Sequence, residues 1–171
     1  MTDEISPKKI ILMGPMGVGK STLGKILAAK LGWPYIDNDS DLAIQSAMSI
    51  EDLSKLSVPE LHKFEAEFIS RVIDGAAPVI SGAAASVVEN EHVLEQLKSV
   101  YAIYLVIPLE TAIERASVGT VGRQAITESG VQILRDRYER RDPLYRQVAS
   151  LIIELGDSPE ADAEKILAAL R

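Results

Sequence analysis

Residues 10–21 read Ile10-Ile11-Leu12-Met13-Gly14-Pro15-Met16-Gly17-Val18-Gly19-Lys20-Ser21, and this stretch decides the fold. Four consecutive apolar residues predict a buried strand, and a helix is expected from about Lys20 to Leu31. Between them, Gly14, Gly19, Lys20 and Ser21 satisfy the spacing G-x-x-x-x-G-K-[ST]. Glycines let the backbone curl until successive N–H groups converge on phosphate oxygens, and the helix adds its positive N-terminal end. In such a cradle the lysine reaches the β- and γ-phosphates and the serine hydroxyl ligates magnesium. The expected nucleotide-binding set is therefore Gly14, Met16, Gly17, Val18, Gly19, Lys20, Ser21 and Thr22, with ATP or ADP as ligand and Mg2+ as cofactor.

Outward from this segment, short apolar runs alternate with longer amphipathic stretches. Strands are predicted at Pro34–Ile36, Val79–Ser81, Tyr101–Ile107 and Leu151–Ile153. Helices are predicted over 41–45, 49–53, 59–74, 91–97, 109–116 and 131–148, and Pro143 is expected to bend or break the last of these. Ser158 with Pro159 reads as a cap and first turn of a final helix. Strands of continuous apolar character alternating with helices imply a parallel sheet covered on both faces. Ligands in such sheets gather at the carboxyl ends of the strands, where the cradle lies.

The chain has 171 residues, enough for one domain with a sizeable core, and a single domain over 1–171 is expected. A net charge of −7 speaks against a general nucleic-acid binder, which carries a basic face. With no cysteine, disulfides and thiolate metal sites are excluded. The acidic N-terminus lacks the apolar core of a signal peptide, and the apolar runs are far shorter than a membrane span, so a cytoplasmic protein without nucleic-acid or membrane partners is expected.

After the second strand comes Asp37-Asn38-Asp39-Ser40-Asp41. A calcium loop fails on spacing, since its sixth position is Leu42 instead of Gly and its twelfth is Met48 instead of Glu. One reading is structural, a turn with Asp39 or Ser40 capping a helix. The other is functional: one carboxylate supports magnesium while another orients the hydroxyl that attacks the γ-phosphate.

Taken together, the phosphate cradle, Tyr35-Ile36-Asp37-Asn38-Asp39 and Arg141-Asp142-Pro143-Leu144-Tyr145 resemble the shikimate kinase family, the last matching its R-x-P-L-Y signature. The likeness runs from Ile10 to Ile153. It implies a three-layer α/β P-loop NTPase fold with a five-stranded parallel sheet of order 2-3-1-4-5, acting as a monomer. It also implies that Asp37 supports magnesium with Ser21, and that Asp39 binds the acceptor hydroxyls and is a candidate base. Arg141 would grip a substrate carboxylate, and Arg123, in a lid loop at about 117–129, would reach the transferring phosphate. Arg115 would stack on adenine. Lys20, Asp39 and Arg123 are thus the implied catalytic residues. Without the resemblance, Arg141 reads as part of a solvated face beside Arg135, Arg137, Arg140, Asp136 and Glu139. His62 and His92 read as surface or structural residues, and Trp33 as core.

Departures fall on the acceptor side. The family frame E-x-x-F-R-x-x-E is kept at Glu60 and Glu67, but Lys63 and Phe64 lie between them and the second clamp arginine is absent. Lys63 would project about a hundred degrees away around a helix, and its ammonium is no bidentate fork. The family's Gly-Gly-Gly turn after the third strand, which approaches substrate, reads Gly82-Ala83-Ala84-Ala85, so Ala83, Ala84 and Ala85 become the expected substrate-facing residues. The lid reads Arg123-Gln124-Ala125 where the family carries R-P-L. The expected activity is transfer of the ATP γ-phosphate to a hydroxyl of shikimate or a related small polyol. The competing expectation is a nucleotide-binding protein with little or no turnover. A guanine-specific switch is disfavoured because no N-K-x-D motif occurs.

Overall fold

The two strand segments that flank the first one in space, Val79–Gly82 and Tyr101–Val106, are the ones whose runs are buried on two faces. The structure, a computed structural model, describes residues 5–117, 128–156 and 158–171. The order is β1 (Lys9–Met13), α1 (Lys20–Leu31), β2 (Tyr35–Ile36), α2 (Asn38–Ser46), α3 (Ile50–Ser54), α4 (Val58–Asp74), β3 (Val79–Gly82), a 3-10 turn (Val87–Glu89), α5 (Glu91–Leu97), β4 (Tyr101–Val106), α6 (Leu109–Ser117), α7 (Glu128–Val148), β5 (Leu151–Glu154) and α8 (Pro159–Leu170). All paired strands run parallel in the order β2-β3-β1-β4-β5, with Ile10 opposite Ile80 on one side and Tyr101 on the other.

Alternation along β1 divides the core. Ile11 and Met13 pack with Ala102, Tyr104, Phe68, Val72, Leu97 and Tyr145 on the face covered by α4, α5 and α7. Ile10 and Leu12 pack with Ile103, Leu105, Leu23, Leu27, Ile166 and Leu170 on the face covered by α1 and α8. This is the period-2 pattern of a strand buried on both sides. The edge strand β5 departs from it: its residues alternate half-buried and exposed, and Ile152 is exposed.

Two local expectations are corrected. Of the bend or break expected at Pro143, the break does not occur, and helix α7 passes through without ending. Buried Arg141, Tyr145 and Val148 anchor it on both sides of the missing N–H bond, so tertiary packing outweighs the local cost. Helix α2 begins at Asn38, and its cap is Asp37, not Asp39 or Ser40. β2 ends at Ile36 and leaves Asp37 extended, with φ −90 and ψ 128, the conformation an N-cap requires.

The centre of the sheet positions the site. β1 leads into the cradle, β2 into Asp37, and β3 into the alanine turn, all at the carboxyl ends of the strands where the chain order reverses.

Candidate active site

The cradle is built from backbone. Gly14, Gly17 and Gly19 have φ of +150, +77 and +106, and a Cβ on Gly14 would sit 2.9 Å from the Leu105 carbonyl oxygen. Gly19 precedes α1 and no side chain caps that helix, so its first-turn amides are left for an anionic ligand. Lys20 Nζ donates to the carbonyl oxygens of Gly14 at 2.6 Å and Pro15 at 2.9 Å. Burial lowers the Lys20 ammonium to about 8; the Asp39 carboxylate opposes that shift, Arg141 adds to it and Glu65 again opposes it.

Asp37 closes the opposite wall. Its carboxylate accepts from the Ser21 hydroxyl at 2.9 Å and from the amides of Asp39 and Ser40 at 3.0 and 3.3 Å. Burial alone would push this carboxyl up, but those hydrogen bonds and the Lys25 charge hold it below the usual range. The Tyr35 ring packs on Gly24, where an added Cβ would lie 2.3 Å from a ring carbon, which explains a glycine inside α1. Burial pushes the Tyr35 phenol up to about 12.

These groups enclose a cavity of about 300 Å³, lined by Met16, Gly17, Gly19, Lys20, Ser21, Thr22, Asp37, Asp39 and Ala83–Ala85 among others. The alanine turn lines it without strain, because the sole non-glycine residue at positive φ among those described is Ala47. The Ala83 amide continues the sheet by donating to the Leu12 carbonyl at 2.9 Å, and the Tyr145 hydroxyl donates to the Ala85 carbonyl at 2.7 Å.

The remaining candidates lie around this cavity. Arg141 is buried, so the solvated-face reading does not hold. Its Nε donates to a Glu89 carboxylate oxygen at 2.8 Å, and Arg140 pairs with the other oxygen. Burial alone would raise Glu89, but the two guanidinium groups hold it low. Arg141 lines an adjoining apolar cavity of about 90 Å³ that shares Met16 and Ala85 with the larger one. Arg115 lies apart, in a cleft with Val18, Gly19, Thr22 and Gly156, and its Nη1 donates to the Val18 carbonyl at 3.4 Å. Val18 itself is buried. Arg123 and most of the 117–129 lid lie outside the described residues. His92 is exposed, His62 half-buried, and Trp33 packs half-buried against the α1 side of the core.

The sequence reading missed one side chain of this cavity outright. Glu60 closes a capping box with Ser57, and Lys63 and Glu67 are exposed; the residue of α4 that lines the cavity is Glu65. Shifting the family frame by one residue puts Phe64 on its phenylalanine and Glu65 on its arginine, with Leu61 and Phe68 on its two glutamates. A signal was available: Leu61, Glu65, Phe68 and Val72 follow helical spacing along the buried stripe, so an acidic residue stands where the pattern asks for an apolar one. Glu89, the partner of Arg141, carried no comparable mark.

Comparison with known proteins gives the lineage. A family model described as shikimate kinase matches residues 16–171. The chain belongs to the shikimate kinase family. A shikimate kinase of Pseudomonas fluorescens is 31% identical over 155 residues, 89% of either chain. One from Caulobacter vibrioides is 32% identical over 177 residues, covering 100% of this chain and 88% of the relative. Among solved structures, shikimate kinase from Acinetobacter baumannii in complex with shikimate superposes with a TM-score of 0.84 at 27% identity, covering 97% of this chain and 94% of that one. As a member of the shikimate kinase family, the chain is an ATP-dependent phosphotransferase acting on a hydroxyl of a small metabolite, shikimate or a related compound. Among the described residues no helix is long and apolar enough to cross a membrane.

Proposed function

We propose that the protein transfers the γ-phosphate of MgATP to a hydroxyl of shikimate or a closely related polyol, as a cytoplasmic monomer whose one domain carries a lid at about 117–129. One observation carries this reading: Lys20 and Ser21 from the cradle, Asp37 at the cap of α2 and Asp39 in its first turn line the same cavity. Phosphates lie against the cradle amides, and the base lies in the cleft beside Arg115. The acceptor lies between the cradle, Asp39 and the alanine turn. Asp39 orients the acceptor hydroxyl and takes its proton, while Lys20 stabilises the charge spreading over the phosphoryl oxygens. Arg123 joins it there on the resemblance alone. Arg141, held by Glu89, borders the acceptor side.

The residues present fit magnesium. Ser21 and Asp37 bring a hydroxyl and a low-lying carboxylate within 2.9 Å of each other. Among the described residues no group of three or more His, Cys, Asp or Glu side chains is arranged to hold a metal ion. That suits an ion that takes one or two protein ligands and fills its remaining positions with water and phosphate oxygens. Held by Ser21 and Asp37, magnesium would supply charge neutralisation at the phosphates.

The altered acceptor wall favours a second reading, nucleotide binding with little or no turnover. Release of ADP by purified protein, measured with and without shikimate and related polyols, separates the two. Acceptor-dependent turnover abolished by Asp39→Asn establishes the kinase; tight ATP binding with no turnover on any acceptor establishes the second reading.

A further inference from the structure

Among the described residues, the cavity beside the cradle is lined by one cation, Lys20, and three carboxylates, Asp37, Asp39 and Glu65. Lys20 is turned onto the carbonyls of Gly14 and Pro15, at the phosphate end. Asp37 is committed to Ser21 and to the first amides of α2. Asp39 and Glu65 are left to meet the acceptor. Arg141 stands outside this lining and its Nε is bound to Glu89.

Glu65 is held in place. The Ser86 hydroxyl, on a residue only 6% exposed, donates to Glu65 Oε2 at 2.5 Å. Its charge is felt across the cavity, because it favours the protonated form of Lys20. Position, partner and field all mark a fixed negative group on the acceptor wall. Such a group accepts hydrogen bonds from whatever lies against it. A carboxylate brought to about 4 Å of it loses on the order of fivefold to several hundredfold in affinity, depending on how far water screens the pair.

Resting on the acceptor site proposed above, we infer that Glu65 selects the acceptor: the preferred substrate is a polyol that presents a hydroxyl or ammonium donor to Glu65 in place of a carboxylate. The enzyme so equipped discriminates against acidic acceptors by repulsion as well as through the bond it makes to the correct one. Ser86 is a positioning residue for this selection.

The test compares three acceptors that share one ring: shikimate, its hydroxymethyl analogue and its aminomethyl analogue. Binding is measured by calorimetry with a non-hydrolysable MgATP analogue present, and ADP release is measured in parallel. The wild-type protein is expected to bind at least one analogue about tenfold or more tightly than shikimate, and the ratio between the two analogues tells ammonium from hydroxyl. Glu65→Gln, whose side-chain carbonyl still accepts from Ser86, should shrink that preference, and Glu65→Arg should reverse it. Tighter wild-type binding of shikimate than of both analogues overturns the inference, as does a preference that Glu65→Gln leaves unchanged. Should Glu65→Arg fail to fold, the ratio in Glu65→Gln decides. Selective binding with no ADP release would sink the kinase reading and leave the selection by Glu65 standing.

Discussion

The proposed nucleotide half and acceptor half of the cavity are made of different material. The cradle is backbone: three glycines at positive φ, an uncapped helix and one lysine folded onto its own loop, all within residues 14–21. The acceptor wall is side chain, and it draws Asp39 from α2, Glu65 from α4 and Ala83–Ala85 from the turn after β3, with Tyr145 of α7 behind them. A backbone site is fixed once the chain adopts its turn, so it admits few changes. A side-chain wall can be altered one residue at a time, and Glu65 and the alanines are such positions on it. The proposed selection by Glu65 would use that division, changing the acceptor while keeping the reaction type.

Three substitutions and one titration probe the division, beginning with the largest expected effect. Lys20→Met removes the cation proposed to face the γ-phosphate and should lower turnover on the order of a hundredfold to a thousandfold. ADP release checks this, and activity near the wild-type level would show that the cradle amides suffice. Gly14→Ala attacks the backbone itself, with strain at φ +150 and a contact 2.9 Å from the Leu105 carbonyl. We expect a loss of about 1–3 kcal/mol in stability, read as a lower Tm, together with weaker nucleotide binding. A variant that keeps both would break the claim that the cradle is rigid.

The titration concerns Lys20, which burial sets at about 8 instead of 10.5. A lysine lowered in this way keeps its proton below about pH 8 and loses it as the pH rises further. Nucleotide phosphates favour the ammonium, so affinity should be flat below about pH 8 and fall toward tenfold per unit above it. Calorimetric Kd values between pH 7 and 9.5 test this, and a flat profile throughout would refute it. The same shift acts on stability with the opposite trend. Between about 8 and 10.5 the unfolded lysine holds more protons than the folded one, so Lys20 makes the fold more stable as pH rises through that window.

The sequence made the two halves unequally legible for the same reason. Gly14, Gly19, Lys20 and Ser21 lie within eight residues, so a motif captures their geometry. The sheet was equally readable, because Ile10–Met13 and Tyr101–Val106 are long enough apolar runs to declare burial on two faces. Boundaries set by a single local geometry were not: Asp37 caps α2 because β2 stops one residue earlier, and Pro143 stays helical because Arg141, Tyr145 and Val148 are buried around it. Glu65 was hidden for a related reason. Its meaning depends on Ser86 and Lys20, which are distant in sequence.

Tyr145 offers the finest probe of whether the halves are separable. Its ring stacks on Tyr104 with centroids 4.7 Å apart, while its hydroxyl donates to the Ala85 carbonyl at 2.7 Å. Tyr145→Phe keeps the stacking and deletes only that bond, a change of about 0.5–1.5 kcal/mol. If the acceptor wall depends on side chains that brace it, the acceptor KM should rise about twofold to tenfold, since each 1.4 kcal/mol is a factor of ten in an equilibrium constant. The nucleotide Kd should not move, because the bond this hydroxyl makes is to Ala85, outside the cradle. A parallel loss of nucleotide affinity would mean that the alanine turn and the cradle, joined through the Ala83 amide and the Leu12 carbonyl at 2.9 Å, shift as one body. In that case changes on the acceptor wall would reach the phosphates, and the acceptor side would not be free to diverge alone.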